Sequence, residues 1–239
     1  MNPMHQFEVK TLVPFEFDGF NLSFTNSSLF MVLAVICGIG MMWFLLRRGL
    51  LIPTTGQSVA EALFGLVRTT ARDNIGPEYR TFLPFIFSVF LMVFMGNLLG
   101  LFPYSFTFTS QLAPVGAFAV LGLFVSAGVG IHRHGIKWLH TFMPAGIPAL
   151  MAPIVIPIEI ISFLAKPFSL TVRLVMNMVV GHILLKILAG FVYSSGLIGA
   201  VPLLFVGLLL VFELGIAFLQ AYIYTILTSI YLGEAVNSH

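Results

Sequence analysis

The sequence predicts an all-α polytopic membrane protein, with about five membrane-crossing helices plus an interfacial helix and a C-terminal pair of long, tilted helices forming an antiparallel hairpin. Three observations predict it. The 239 residues are 59% hydrophobic and 8% charged, and the apolar runs are too long and too numerous for the core of a soluble domain. Lys and Arg gather in alternate loops, the pattern left when one set of loops stays on the positive side of a bilayer. The last two apolar runs each reach about 35 residues, well beyond the roughly 20 that one perpendicular crossing needs.

The same composition excludes several function classes. A formal charge of +2 with no basic cluster among exposed aromatics gives nucleic-acid binding no support. Cys37 is the only cysteine and lies in an apolar run, so neither an intramolecular disulfide nor a thiolate metal cluster can form. The six histidines show no paired ligand spacing beyond His132 and His134, so no metal and no cofactor are expected. Met1 to Phe24 lacks a basic region, an apolar core and a small-residue cleavage site, and no signal peptide is expected.

The whole chain reads as one membrane domain. Residues 1–26 form an N-terminal tail whose only charges are Glu8, Lys10, Glu16 and Asp18. Residues 27–140 hold peripheral helices and charged loops. The first span is about Ser28 to Leu46, ending at Arg47 and Arg48; Val59 to Arg72 has the mixed face of an interfacial helix, closed by Pro77. The second span, about Thr81 to Leu101, leads into the uncharged turn FPYSFTFTSQLAP. The third, Val115 to Ile131, runs into HRHGIKWLH, where His132, His134 and His140 read as loop residues and Trp138 as an interface anchor. The loops after spans one and three hold seven Lys and Arg, and the turn after span two and the one near Ser194 hold none. The positive loops and the C-terminus should therefore lie on the cytoplasmic or matrix side, with the N-terminus outside.

Residues 141–239 carry the two long helices. Pro144, Pro148, Pro153 and Pro157 interrupt an apolar run, so a regular helix is expected only from the last two. From Pro157 to Phe191, about 35 residues would rise roughly 52 Å, against a hydrocarbon thickness of roughly 30 Å. Such a helix must tilt or bend, and Lys166-Pro167 is the candidate bend. The turn FVYSSG returns the chain into Leu197 to Leu232, of similar length. A competing reading splits the first run at Pro167 into two crossings, but leaves almost no loop between them.

At the centre of the first long run stands Arg173. A guanidinium at bilayer depth costs roughly 2.5 to 3.5 kcal/mol on insertion scales and cannot escape by losing its proton. Glu159, Ser162, Lys166, Ser169, Arg173 and Asn177 follow one another at gaps of three or four, which makes one helix face. On the second run Glu213, Gln220, Tyr224 and Thr228 make another. His182, nine positions after Arg173, points to the opposite face and has an imidazole that shuttles protons near neutrality.

Structural roles compete with functional ones. Arg173 in an ion pair with Glu159 or Glu213 would merely pin helices, and Asn177 and Gln220 would be ordinary interhelical amides. Lys166 would snorkel, Ser169 would bond its own helix, Glu159 would mark a helix start, and Glu234 and His239 would be a solvated end. A self-contained secondary transporter binding an anion at Arg173 is the alternative function, but such folds show internal repeats and no half of this chain echoes the other. A simple channel needs symmetric copies and no blocking cation. No phosphate loop or nucleophile with a base is present, so the chain is not expected to be an enzyme by itself.

Three stretches carry a family likeness: GNLLGLFPYSFTFTS from Gly96, KPFSLTVRLVMNM from Lys166 and FELGIAFLQAYIYTILTSIYL from Phe212. In order and spacing they resemble the a-subunit family of the F-type ATP synthases, the stationary half of a proton-translocating motor, from about the second span to the C-terminus. The resemblance implies a place in a bacterial inner membrane or a mitochondrial inner membrane. The implied partners are a c-ring, b-type peripheral-stalk subunits, lipid and protons. It implies two offset half-channels that carry protons to and from the ring carboxylates and couple their flow to rotation and ATP synthesis. Residue by residue, Arg173 would be the essential arginine facing the ring and separating the two paths, with Asn177 and Gln220 near that interface. His182 and Glu213 would line the outer half-channel, and Glu159 and Ser169 the cytoplasmic one. Many bacterial members carry Glu and His at these two outer positions; here the pair is exchanged, which implies that His182 and Glu213 are neighbours in space and leaves open which of them passes the proton on.

Overall fold

The computed structural model describes residues 8–14, 16–17, 20–21, 23–47, 49, 52–102, 105–135, 138, 151–194 and 199–237. Six helices dominate: α1 (Asn26–Leu46), α2 (Thr55–Ile75), α3 (Tyr79–Gly100), α4 (Leu112–His134), α5 (Ala152–Ser194) and α6 (Ala200–Asn237). All but α2 are long and apolar enough to cross a membrane, as the apolar runs require.

Ahead of them, β1 (Thr11–Val13) pairs antiparallel with β4 (Phe24–Thr25), and β2 (Glu16–Phe17) with β3 (Phe20–Asn21). The N-terminal stretch is thus a nested pair of small hairpins where the sequence suggested only a tail. Strands of two or three residues are too short to show alternation. The hairpin is tied to the first helix: Asn26 donates from Nδ2 to the Glu8 carbonyl, its Oδ1 accepts from the Lys10 N–H, and Thr25 Oγ1 caps the Ser28 N–H.

The amphipathic helix α2 starts on Thr54, whose side chain accepts from the Gln57 N–H, and stops at Gly76. Gly76 has φ +83° and returns its N–H to the Arg72 carbonyl, a C-terminal cap that favours glycine. Its buried face carries Ala60, Val67, Ala71 and Ile75 at helical spacing.

The helix α5 runs unbroken for 43 residues through both Pro157 and Pro167, about 64 Å at 1.5 Å per residue. The two-crossing alternative at Pro167 is therefore not adopted. It begins at Ala152, so Pro153 lies in its first turn, where a missing N–H costs nothing. Pro144, Pro148 and His140 lie outside the described residues.

The chain clusters into two compact units. One comprises the described residues of Met1–Gly49, Leu91–Val115 and Arg173–Ala221. In it Phe94 meets Phe218 edge-on at 6.0 Å, Phe30 meets Phe106 at 6.1 Å, and the Phe108 ring covers Gly96. There α5 and α6 run antiparallel, with Gly199 against the Val192 carbonyl and Glu213 against Gly181. The other unit comprises the described residues of Leu50–Phe90, Gly116–Val172 and Tyr222–His239. Here too the two long helices are antiparallel: the Tyr231 hydroxyl donates to the Phe163 carbonyl at 2.8 Å, and Thr171 lies beside Tyr224.

The end of α6 is locked down in this second unit. Gly233 lies against the Asn74 carbonyl, Asn237 Nδ2 donates to the Ile75 carbonyl at 3.2 Å, and His134 Nε2 bonds the Val236 carbonyl at 3.2 Å. Three sequence expectations change as a result. His132 and His134 belong to the last turn of α4, not to a loop. Trp138 is buried over Gly130. Glu234 is half-buried within α6 instead of marking a solvated end, because the helix continues past it; His239 lies outside the described residues.

Candidate functional site

The polar stripes of α5 and α6 turn in opposite senses. On α5, Ser162, Lys166, Ser169 and Arg173 are exposed, and Glu159 and Asn177 are half-exposed. On α6, Glu213, Gln220, Tyr224 and Thr228 are all buried, none above 7% exposure. A common period made the two stripes look equivalent in the sequence, yet one faces out of the fold and the other into it.

No hydrogen bond or ion pair joins Arg173 to any described residue. It is not the structural partner of Glu159 or Glu213, and its charge is left exposed on an apolar helix. His182, nine residues on, is buried, as half a turn of phase difference dictates.

In the first unit the buried polar groups gather around His182. Its Nε2 lies 3.1 Å from Thr107 Oγ1, in the turn after α3. The Glu213 carboxylate lies against Gly181, the residue before His182, so closely that a Cβ at 181 would collide with Oε1. Neither Glu213 oxygen has a hydrogen-bond partner, and no hydrogen bond links Glu213 to His182. Seven residues along α6, about two turns, Gln220 is buried with Oε1 also unpartnered. The same step back from Gly181 on the antiparallel α5 reaches Leu174, beside Arg173. Asn97 of α3 donates from Nδ2 to the Ala217 carbonyl at 3.2 Å and leaves Oδ1 unpartnered.

Orphaned buried polar atoms each cost about 1 to 3 kcal/mol. Of the six such atoms among the described residues, five (on Asn97, Thr109, Glu213 and Gln220) belong to this unit and one, on Ser229, to the other. A carboxyl and an imidazole can each take up and release a proton, and amides and hydroxyls can hydrogen-bond the groups beside them.

In the second unit Glu234 lies within electrostatic reach of Lys166 and Glu159, which brings the first part of the α5 stripe and the end of α6 together. Ser169 and Lys166 are exposed. Among the described residues no three His, Cys, Asp or Glu side chains gather as a metal site would require.

Three residues that sequence reasoning passed over belong to the first unit with His182 and Glu213: Asn97, Thr107 and Lys186. Lys186 is half-buried one turn after His182, and as a charge in an apolar run it carries the same signal that singled out Arg173. Asn97 is likewise a lone amide in an apolar helix. Thr107 sits in a turn without periodicity, where no pattern could mark it.

Comparison with known proteins places these residues in a family. Residues 28–233 match the family model described as ATP synthase A chain. The chain is 49% identical over 240 residues to ATP synthase subunit a of Rhodospirillum rubrum, covering 100% of this chain and 99% of that protein. It is 42% identical over 243 residues to ATP synthase subunit a of Rhizobium johnstonii, covering 99% and 97%. It is also 43% identical over 243 residues to ATP synthase subunit a 1 of Brucella anthropi, covering 99% and 98%. With a match across nearly its whole length and the apolar helices that accompany it, the chain belongs to the ATP synthase A chain family of membrane proteins.

Proposed function

We propose that this chain is the stationary, non-catalytic membrane subunit of an F-type ATP synthase, which delivers protons to a rotating c-ring and removes them again. The observation that carries the reading is Arg173: a permanently charged group, exposed on an apolar helix and bonded to none of the described residues. An exposed cation at bilayer depth is costly unless water or an opposite charge meets it, and a ring of carboxyl-bearing hairpins supplies that charge at each step.

Beside an approaching carboxyl, the guanidinium favours the ionised form and so removes the proton the site has carried. Because Arg cannot release its own proton, it separates two paths rather than joining them. His182 and Glu213, with Asn97 behind them, line the outer path, and Gln220 stands on α6 near Arg173 and the ring interface. Glu159 and Ser169, with Glu234 added from α6, line the path to the cytoplasm. Asn177 flanks Arg173 at the ring. The N-terminus lies outside and the C-terminus on the cytoplasmic side, with b-type stalk subunits holding the chain still. Each charge that crosses yields about 2.3 kcal/mol per 100 mV, and short-circuiting the two paths would dissipate it without rotation.

Arg173→Ala in the assembled complex tests this. ATP-driven proton pumping into vesicles is lost while the complex still assembles; pumping at the unaltered rate would overturn the reading.

A further inference from the structure

The turn after α3 holds a hydroxyl against His182, and its construction is specific. Gly100 closes α3, and a Cβ there would run into Oγ1 and Cγ2 of Thr107; a Cβ at Gly96 would enter the Phe108 ring. Two glycines one turn apart therefore let residues 107 and 108 lie directly on the helix. Ser110 fixes the turn from the other side, donating from both its N–H and its hydroxyl to the Thr107 carbonyl, at 3.0 and 2.6 Å. Thr107 is 2% exposed.

From this seat Thr107 Oγ1 reaches two partners. His182 Nε2 is 3.1 Å away and the Gly100 carbonyl 3.5 Å. A hydroxyl has one hydrogen to donate and lone pairs with which to accept, whereas an imidazole nitrogen is an acceptor when bare and a donor when protonated. A carbonyl only accepts, and its second lone pair leaves room for the Ser105 hydroxyl, 3.3 Å away.

We propose that Thr107 is a positioning residue whose hydroxyl holds His182 in place in both protonation states of Nε2. When Nε2 is bare, Thr107 donates to it. When Nε2 has gained a proton, its N–H donates to Oγ1, and the hydroxyl hydrogen turns to the Gly100 carbonyl. One rotation about a C–O bond serves both states, no heavy atom moves, and Nε2 is never left unpaired in a buried setting. This rests on the proposed outer path through His182. The charged neighbours are Lys186, one turn along α5, and Glu213 of α6, which lies against Gly181; the segment Leu91–Gly100 of α3 contributes none.

The test uses the complete ATP synthase in liposomes, with ATP synthesis driven by an acid–base jump and the acidic-side pH varied at fixed total driving force. Thr107→Val keeps the shape and removes the hydroxyl; it slows synthesis about tenfold, the equivalent of one buried hydrogen bond to a charged group, and displaces the dependence on acidic-side pH. Thr107→Ser keeps the hydroxyl and stays within about twofold of the parent, the margin left for a lost methyl. An unchanged rate and pH profile in Thr107→Val, or equal losses in Val and Ser, would overturn the proposal. If Thr107→Val does not assemble, Thr107→Ala, which cannot crowd the turn, takes its place against Ser with the same two outcomes. His182→Ala separates this from the path itself. Synthesis unaffected by His182→Ala overturns the path and the hydroxyl's role together, whereas synthesis abolished by His182→Ala and untouched by Thr107→Val overturns the hydroxyl's role alone.

Discussion

The hydroxyl of Tyr231 donates at 2.8 Å to the carbonyl of Phe163, the carbonyl four residues before Pro167. In a helix that carbonyl would accept from the N–H of residue 167, which a proline lacks. The α6 side chain thus replaces the hydrogen bond that the α5 proline cannot make, and the rings of Phe163 and Tyr231 pack at 4.7 Å beside it. A proline in the middle of a 43-residue helix is carried in part by its neighbour.

Tyr231→Phe removes only the hydroxyl and leaves the ring packing. It should destabilise the assembled subunit by about 1 kcal/mol, the net worth of one hydrogen bond, read as a lowered midpoint for thermal dissociation from the complex. With Pro167→Ala, residue 167 supplies an N–H to the same carbonyl, and the cost of Tyr231→Phe should fall to less than half. Equal costs in both backgrounds would show that the hydroxyl is not compensating for the proline.

Gly181 and Glu213 set a second expectation. A methyl group at 181 has no room beside the Glu213 carboxylate, and overpacking of this kind costs about 1 to 3 kcal/mol, roughly ten- to a hundredfold in rate if it falls on the working geometry. Gly181→Ala should slow ATP-driven proton pumping by that factor, with assembly intact on a native gel. Glu213→Asp draws the carboxyl back by one methylene and should recover part of the loss in the double variant. If Gly181→Ala pumps normally, the position of Glu213 against that backbone has no bearing on transport.

The spans were legible because bilayer thickness and helix rise dictate the length of an apolar run, and the five runs from α1 to α6 stand out on that ground alone. The continuity of α5 through Pro167 was harder to read, since its explanation is a tyrosine 64 positions further on. Periodicity placed Glu159 to Asn177 on one face and Glu213 to Thr228 on another, but it is silent on which face looks outward. That depends on packing with α3 and α4, and the structure assigns the two stripes opposite senses. The N-terminal strands were too short to leave a pattern. Thr107 lies in a turn whose role rests on two glycines in the preceding helix, a relation visible only once the turn is folded back.

The Gly96 seat gives a third expectation. A Cβ at 96 would penetrate the Phe108 ring and approach Thr109, so Gly96→Ala should destabilise the turn by about 1 to 3 kcal/mol and lower the amount of subunit retained in membranes. Phe108→Leu, a smaller and more pliable side chain, should restore part of that amount. A Gly96→Ala protein that accumulates like the parent would mean the ring moves aside freely, and the turn would then be far less rigid than its buried hydroxyls suggest.

The ion pair between Arg133 and Glu78 is half-exposed, at 32% and 50% for the two side chains. Pairs of this kind contribute about 0 to 1 kcal/mol, so Glu78→Gln should change neither assembly nor pumping by more than about twofold. Arg133 does more than pair: its guanidinium also lies 5.8 Å from the centre of the Phe82 ring. Arg133→Ala should therefore cost more than Glu78→Gln in thermal dissociation of the subunit, and added salt should narrow the parent's margin over Glu78→Gln more than its margin over Arg133→Ala. If the two substitutions cost the same and lose their effect at the same salt concentration, the ring contact adds nothing and the carboxylate is the sole reason for the arginine.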